Sequence, residues 1–234
     1  FCESIPEEFR AAAKAGGGKE GESGKDSKGG DDGAAKGRGG TSSSSAAVAS
    51  SAAPSVADPL DSYEGPPITA LDIRVGRIAR VWTHEEADKL YCEEIDVGED
   101  EPRLIASGLR PYLSEEDLAG RAVLVLCNLK ARKLAGFPSH GMVLCASNED
   151  RTEVRLVSAP VDAKIGERVT VPGFDFDGEA GKPFAENKVG KKKVFEKIAP
   201  FLRTSEYGVP EFCGRPLLTS AGVCTSPIND GSVS

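Results

Sequence analysis

The stretch Leu126–Ser147, LCNLKARKLAGFPSHGMVLCAS, restricts what this chain can fold into more than any other. Two short apolar runs bracket a basic, glycine-containing segment. Val123–Cys127 leads into it and Met142–Ala146 leads out. Each run is too short for a free-standing helix, and its β-branched content suits a buried strand. Between them lie Asn128, Lys130, Arg132, Lys133, Gly136, Ser139, His140 and Gly141. Amide, cationic and hydroxyl groups are thus gathered at the mouth of a β-structure, where glycines let a ligand approach the backbone.

The residues upstream extend the same pattern. Leu71–Val75 alternates apolar and polar residues, as in a strand with one buried face. Gly76 interrupts it and suits a bulge or a barrel bend, after which Arg77–Trp82 resumes. Leu90–Val97 is a second strand, Gly98–Asp100 a turn, and Arg103–Ala106 a third strand. Ser114–Asp117 has the form of a capping box that opens a short helix, closed by Gly120. Ala122–Cys127 and Met142–Ala146 complete five strands. A small helix between the third and fourth strands is the layout of the oligonucleotide/oligosaccharide-binding (OB) fold, an all-β, five-stranded Greek-key barrel. Other small barrels fit the pattern too. Downstream, Val154–Val157 and Arg168–Val171 continue as strands and 173–183 reads as loop. Lys191–Ile198 suggests a helix with Val194, Ile198 and Phe201 or Leu202 on one face, shortened by Pro200. Lys191, Lys192 and Lys193 would then stand at the start of that helix, against its macrodipole, which points to a secondary basic patch with a docking task. The tail to Ser234 reads as small β-elements packed on the barrel.

The N-terminal part differs in kind. Phe1–Lys14 carries a faint helical pattern in Ile5, Phe9 and Ala12. From Ala15 the composition turns to Gly, Ser, Ala and mixed charge, which cannot bury enough apolar surface to offset ordering entropy. The expected division is 1–14 as the tail of a preceding segment or a short helix, 15–66 as a disordered linker, 67–172 as the barrel, and 173–234 as a C-terminal extension. The chain opens at Phe1 rather than Met, as a fragment or processed product would, and shows no leader or membrane-length apolar run. Its formal net charge of −8 argues against a uniformly basic surface, while leaving room for a local basic patch. The six cysteines form no C-x-x-C pair and lack histidine neighbours at zinc spacing, so reduced, buried thiols and no metal are expected. With two histidines, and no G-x-S-x-G elbow, Walker loop or H-E-x-x-H, the chain gives little to catalysis and implies no cofactor.

CNLKxxKxxGxxSxGMVLCAS resembles the signature of the tRNA-binding domain related to endothelial-monocyte-activating polypeptide II. That module is appended to methionyl- and tyrosyl-tRNA synthetases and to the cofactor of the multisynthetase complex. LDIRVGRI (Leu71–Ile78), HEEADKLYCEEIDVGE (His84–Glu99) and IASGL (Ile105–Leu109) match in the same order, and the likeness spans roughly 69–234. It implies an OB-fold barrel that binds tRNA without catalysis. Lys89, Asn128, Lys130, Ser139 and Met142 match positions associated with the tRNA site. Chemistry adds Arg132, Lys133 and His140: cations for phosphates, a guanidinium that can stack, and an imidazole near neutrality. By its own nature Met142 is as well suited to the core, and Asn128 to capping a turn. The resemblance further implies a cytoplasmic protein, a monomer through its extension, and an aminoacyl-tRNA synthetase or synthetase complex as partner. Ala131 replaces a usual Pro, which should loosen the loop. Ala135 replaces a frequent Arg, a loss that Arg132 restores. A protein-interaction module and a cytokine-like released fragment stand as alternatives.

Overall fold

The computed structural model describes residues 58–234, so the expected N-terminal helix and the linker up to residue 57 lie outside the described residues. Strand β1 (Ile73–Thr83) is followed by β2 (Tyr91–Asp96), β3 (Arg103–Ser107), helix α1 (Glu115–Leu118) and β4 (Ala122–Leu126). The hairpin β5 (Arg132–Leu134) and β6 (Phe137–Ser139) comes next, then β7 (Met142–Val143), β8 (Cys145–Ser147) and β9 (Val154–Leu156). An antiparallel sheet runs in the order β3-β2-β1-β4-β7. It curls nearly closed where the His140 amide donates to the Leu104 carbonyl (2.8 Å) and the Ala106 amide to Ser139 Oγ (3.1 Å). This is the five-stranded barrel expected from the strand spacing. The capping box is present as well: Ser114 Oγ accepts from the Asp117 amide, and the Asp117 carboxylate accepts from the Ser114 amide.

Three sequence expectations change. The bulge in β1 falls between Ile78 and Arg80, not at Gly76, which pairs in register with Val123. Gly76 serves close approach instead: a Cβ there would lie 2.8 Å from Ile95 Cγ2 and 2.9 Å from Val125 Cγ2. The run Met142–Ala146 is two strands. β7 pairs with β4, and after Leu144 the chain passes to a second sheet as β8. Arg168–Val171 makes only isolated bridges, Arg74 with Arg168 and Thr170 with Leu218.

The extension consists of α2 (Glu186–Lys192), α3 (Val194–Ile198), β10 (Leu202–Thr204), β11 (Pro210–Phe212), β12 (Arg215–Pro216), β13 (Leu218–Thr219), β14 (Gly222–Val223) and β15 (Ser232–Val233). Its sheet order is β12-β11-β10-β15-β8-β9, so β15 takes the edge of β8 that the barrel leaves open. Strand β4 shows why the barrel needs this cover. Val123 and Val125 face the barrel interior with Ile78, Ile95 and Ile105. Leu124 and Leu126 face the other way, into a cluster with Leu144, Ile198, Leu202 and Phe212. Both faces of β4 are buried, which is why it reads as a continuous apolar run rather than an alternation.

Packed structure also begins upstream of the expected boundary at 67. Asp58 caps a short 3-10 turn (Pro59–Ser62) and pairs with Arg215 at 2.7 Å. The Tyr63 ring meets Phe201 and Phe212 edge-on.

Candidate nucleic-acid interface

The segment expected to be a flexible basic loop is a β-hairpin. Arg132 pairs with Ser139, Lys133 with Pro138 and Leu134 with Phe137. Its two-residue turn is Ala135-Gly136, with φ of 48° and 87°. Positive φ at both turn residues gives the twist a tight hairpin needs, but an Asn-Gly pair usually signals it. The alanine hid the hairpin from sequence reading. The ladder supplies the order that proline would have given at Ala131.

Buried polar groups fix the hairpin's root. Asn128 is only 7% exposed. Its Oδ1 accepts from the Asp72 amide (2.9 Å), and its Nδ2 donates to the Ala70 and Phe184 carbonyls, both at 2.9 Å. Ser139 is buried, accepts from the Ala106 amide, and donates to the Gly141 carbonyl at 3.2 Å. The polar atoms of these two expected contact residues already have backbone partners, and those bonds hold the hairpin's root. Met142 is half-buried and packs against the cluster of Leu124 and Leu126. Arg103 escaped sequence reading. Its guanidinium donates to the Cys127 carbonyl (2.6 Å) before the hairpin and to the His140 carbonyl (2.9 Å) after it. Glu99 holds it from the other side at 2.6 and 2.8 Å, and that contact draws the Glu99 carboxyl below its ordinary pKa.

What the root presents is cationic. Lys130, Arg132 and Lys133 are exposed, and none is in an ion pair among the described residues. His140 is exposed at the far end of the hairpin. Cross-strand partners share a face. Arg132, Leu134 and Phe137 thus lie on the face of Ser139, which turns toward β3, and Lys133 lies on the opposite face. Phe137 reaches the connection between β1 and β2: its ring centroid is 5.8 Å from that of Trp82 and 6.4 Å from that of His84, both edge-on. The exposed Lys89 belongs to this connection, whose His84 ring lies beside Phe137 of the hairpin. Glu85, Glu86 and Asp88 share the loop and outnumber its one lysine, so the loop is net acidic.

Trp82 is the second residue that sequence reading passed over. Beyond the bulge, Val81 packs on the barrel core, and Arg80 and Trp82 project from the other face of β1, opposite Glu94 and Cys92. The Arg80 guanidinium lies 4.7 Å from the Trp82 ring centroid and 3.7 Å from Glu94.

The lysine trio is placed differently from expectation. Lys191 and Lys192 end helix α2, and Lys193, with φ of 50°, is the left-handed junction to α3. Cations in a last helical turn are favoured by the macrodipole, so these lysines sit there without the cost of a helix start. Lys192 lines an open groove of about 720 Å³ with Tyr63, Phe184, Val194, Lys197 and Phe201. Phe184 is the residue whose carbonyl Asn128 holds, which ties this region to the hairpin root.

Among the described residues no group of His, Cys, Asp or Glu could hold a metal. Cys92, Cys127, Cys145, Cys213 and Cys224 are free and buried. Burial pushes the Cys127 and Cys145 thiols up to about 12, so they are poor nucleophiles. No helix among the described residues is long and apolar enough to cross a membrane.

Comparison with known proteins adds three findings. The family model described as a putative tRNA binding domain matches residues 73–168. A probable methionine–tRNA ligase from Oryza sativa subsp. japonica is 46% identical over 67% of this chain, which spans 19% of that protein. Aminoacyl tRNA synthase complex-interacting multifunctional protein 1 from Cricetulus griseus is 39% identical over 74% of this chain, which spans 45% of it. Among solved structures, the C-terminal domain of Plasmodium vivax p43 is 38% identical with a TM-score of 0.67, covering 72% of this chain and 99% of that one.

Proposed function

From its membership of the putative tRNA-binding-domain family, we propose that this chain holds tRNA on the β5–β6 hairpin, without catalysing a reaction. The observation that carries the site is the pairing of a fixed root with free cations. Asn128, Ser139 and Arg103 hold the hairpin, while Lys130, Arg132 and Lys133 stay unpaired on it and Lys89 flanks it. Cations gathered on the two faces of one hairpin can contact phosphates and carry little sequence information, so recognition is by shape and charge. The end of α2, with Lys191, Lys192 and Lys193, extends the contact along the backbone. The relatives are tRNA ligases and a synthetase-complex protein, so the partner is an aminoacyl-tRNA synthetase. Tethered to it, the module raises the local concentration of tRNA. The work is cytoplasmic. With β15 on the edge of β8, the module acts as a monomer.

The test is fluorescence anisotropy of total tRNA with the full chain at low and moderate salt, beside a Lys130→Glu/Arg132→Glu variant. Binding should weaken with salt, and the variant should lose about tenfold or more at low salt with a shallower salt slope. Equal affinities for the two proteins would remove the hairpin from the site.

A further inference from the structure

We propose that Trp82 and Phe137 form a stacking site for one unpaired base of the bound RNA. This rests on the tRNA-binding reading above and adds to it a base contact that backbone tracking does not need. Four observations converge. The Trp82 and Phe137 rings come from different elements and meet at 5.8 Å with planes 79° apart, making a corner of two aromatic surfaces. Both are half-buried, on the outer face of the barrel rather than in its core. Arg80 lies over the indole but is 66% exposed and tied to Glu94 only at 3.7 Å, so it can swing aside or sandwich a base. Arg132 shares the face of Phe137 and supplies a cation for the phosphate next to that base.

A flat ring lying on the indole would stand steeply to the Phe137 ring, an angle aromatic pairs favour. Stacking on Trp or Phe suits every base, because each has a π-face, and it requires a nucleotide that is not paired. The acidic groups nearby, Glu85, Glu86, Asp88 and Glu94, lie on the β1–β2 connection and on β2. They bar phosphates there, so the backbone enters from the hairpin and the base points toward Trp82. An exposed loop of tRNA meets this demand, and a continuous duplex does not.

Trp82 is the only tryptophan in the chain, so its emission reports the site directly. The full chain is titrated with total tRNA, a single-stranded oligonucleotide of uridine, and a duplex RNA of equal length. Anisotropy is read on the RNA and emission on Trp82. Trp82→Leu and Trp82→Phe follow, with thermal midpoints to confirm folding. Single strands and tRNA should quench the emission and the duplex should bind without quenching. Trp82→Leu should lose about tenfold in affinity for the single strand, and Trp82→Phe should recover most of it. Binding of tRNA without quenching, together with unchanged affinity in Trp82→Leu, would overturn the stacking site and leave the tRNA reading intact. Equal quenching by the duplex would overturn the demand for an unpaired base. If tRNA fails to bind at any salt, the underlying reading fails and this one with it.

Discussion

Glu93 sits on β2 inside the barrel, fully buried between Val81 on β1 and Ile105 on β3. Its Oε1 accepts from Ser107 Oγ at 2.6 Å, and its Oε2 has no partner. Burial disfavours the charge more than one hydroxyl supports it, and the carboxyl is pushed up to about 7 from an ordinary 4.5. The folded state therefore binds a proton that the unfolded chain releases near pH 4.5. Stability from this site is complete below that pH, declines as pH rises toward about 7, and stays low above it. At about 1.4 kcal/mol per tenfold, the loss between pH 4.5 and pH 8 is about 3 kcal/mol. Glu93→Gln removes the titration and keeps the acceptor for Ser107. Its amide leaves an unpartnered donor, a penalty of about 1–3 kcal/mol that does not vary with pH. Cys145, whose thiol feels Glu93, is pushed up to about 12 and stays neutral throughout. Glu211, also raised by burial, is common to both proteins and cancels. Urea unfolding followed by circular dichroism at pH 4.5, 6, 7 and 8 gives the two stability profiles. The variant should gain on the wild type by about 3 kcal/mol from the first pH to the last. A difference that stays constant across this range would mean that Glu93 is not held neutral by burial, and the reasoning would fail.

Two further outcomes test how the site is held. Asn128→Ala strips three backbone partners at the hairpin root, so urea unfolding should show a loss of about 2–4 kcal/mol. Faster amide exchange at 128–141 should accompany it, and tRNA affinity should fall only as far as the hairpin loosens. Ala135→Asn places a residue that tolerates positive φ at the exposed first turn position, and should raise stability by about 0.5–1 kcal/mol in thermal unfolding with affinity unchanged.

The barrel was legible in the sequence because its signals are local. Alternation marked β1, a capping box marked α1, and an all-apolar run marked β4. The errors fall where the deciding contact is distant. Gly76 interrupts an alternation and so suggested a bulge, but its reason is the crowding of Ile95 and Val125 from neighbouring strands. Lys191–Lys193 looked like a helix start because Glu186–Gly190 is weakly apolar. Only Val189 of those residues is buried, too little periodicity to reveal α2. Upstream, Asp58 and Tyr63 looked like linker because their partners, Arg215, Phe201 and Phe212, come from the far end of the chain.

The site divides by burial in a way that residue type alone cannot show. Asn128, Lys130, Arg132 and Ser139 are all polar residues in one segment, and each was a reasonable contact for a polyanion. The structure turns Asn128 and Ser139 inward to backbone partners and leaves Lys130 and Arg132 outside. The two roles depend on each other. A cationic loop that must be ordered on binding loses about 1–2 kcal/mol of backbone entropy per residue fixed, which would consume the modest gain from a few exposed phosphate contacts. A hairpin already closed by a two-residue turn and clamped at both ends by Arg103 avoids most of that loss. This accounts for how a chain with a net charge of −8 can direct a polyanion to one small surface: the body repels it, and a few cations held in place before binding attract it.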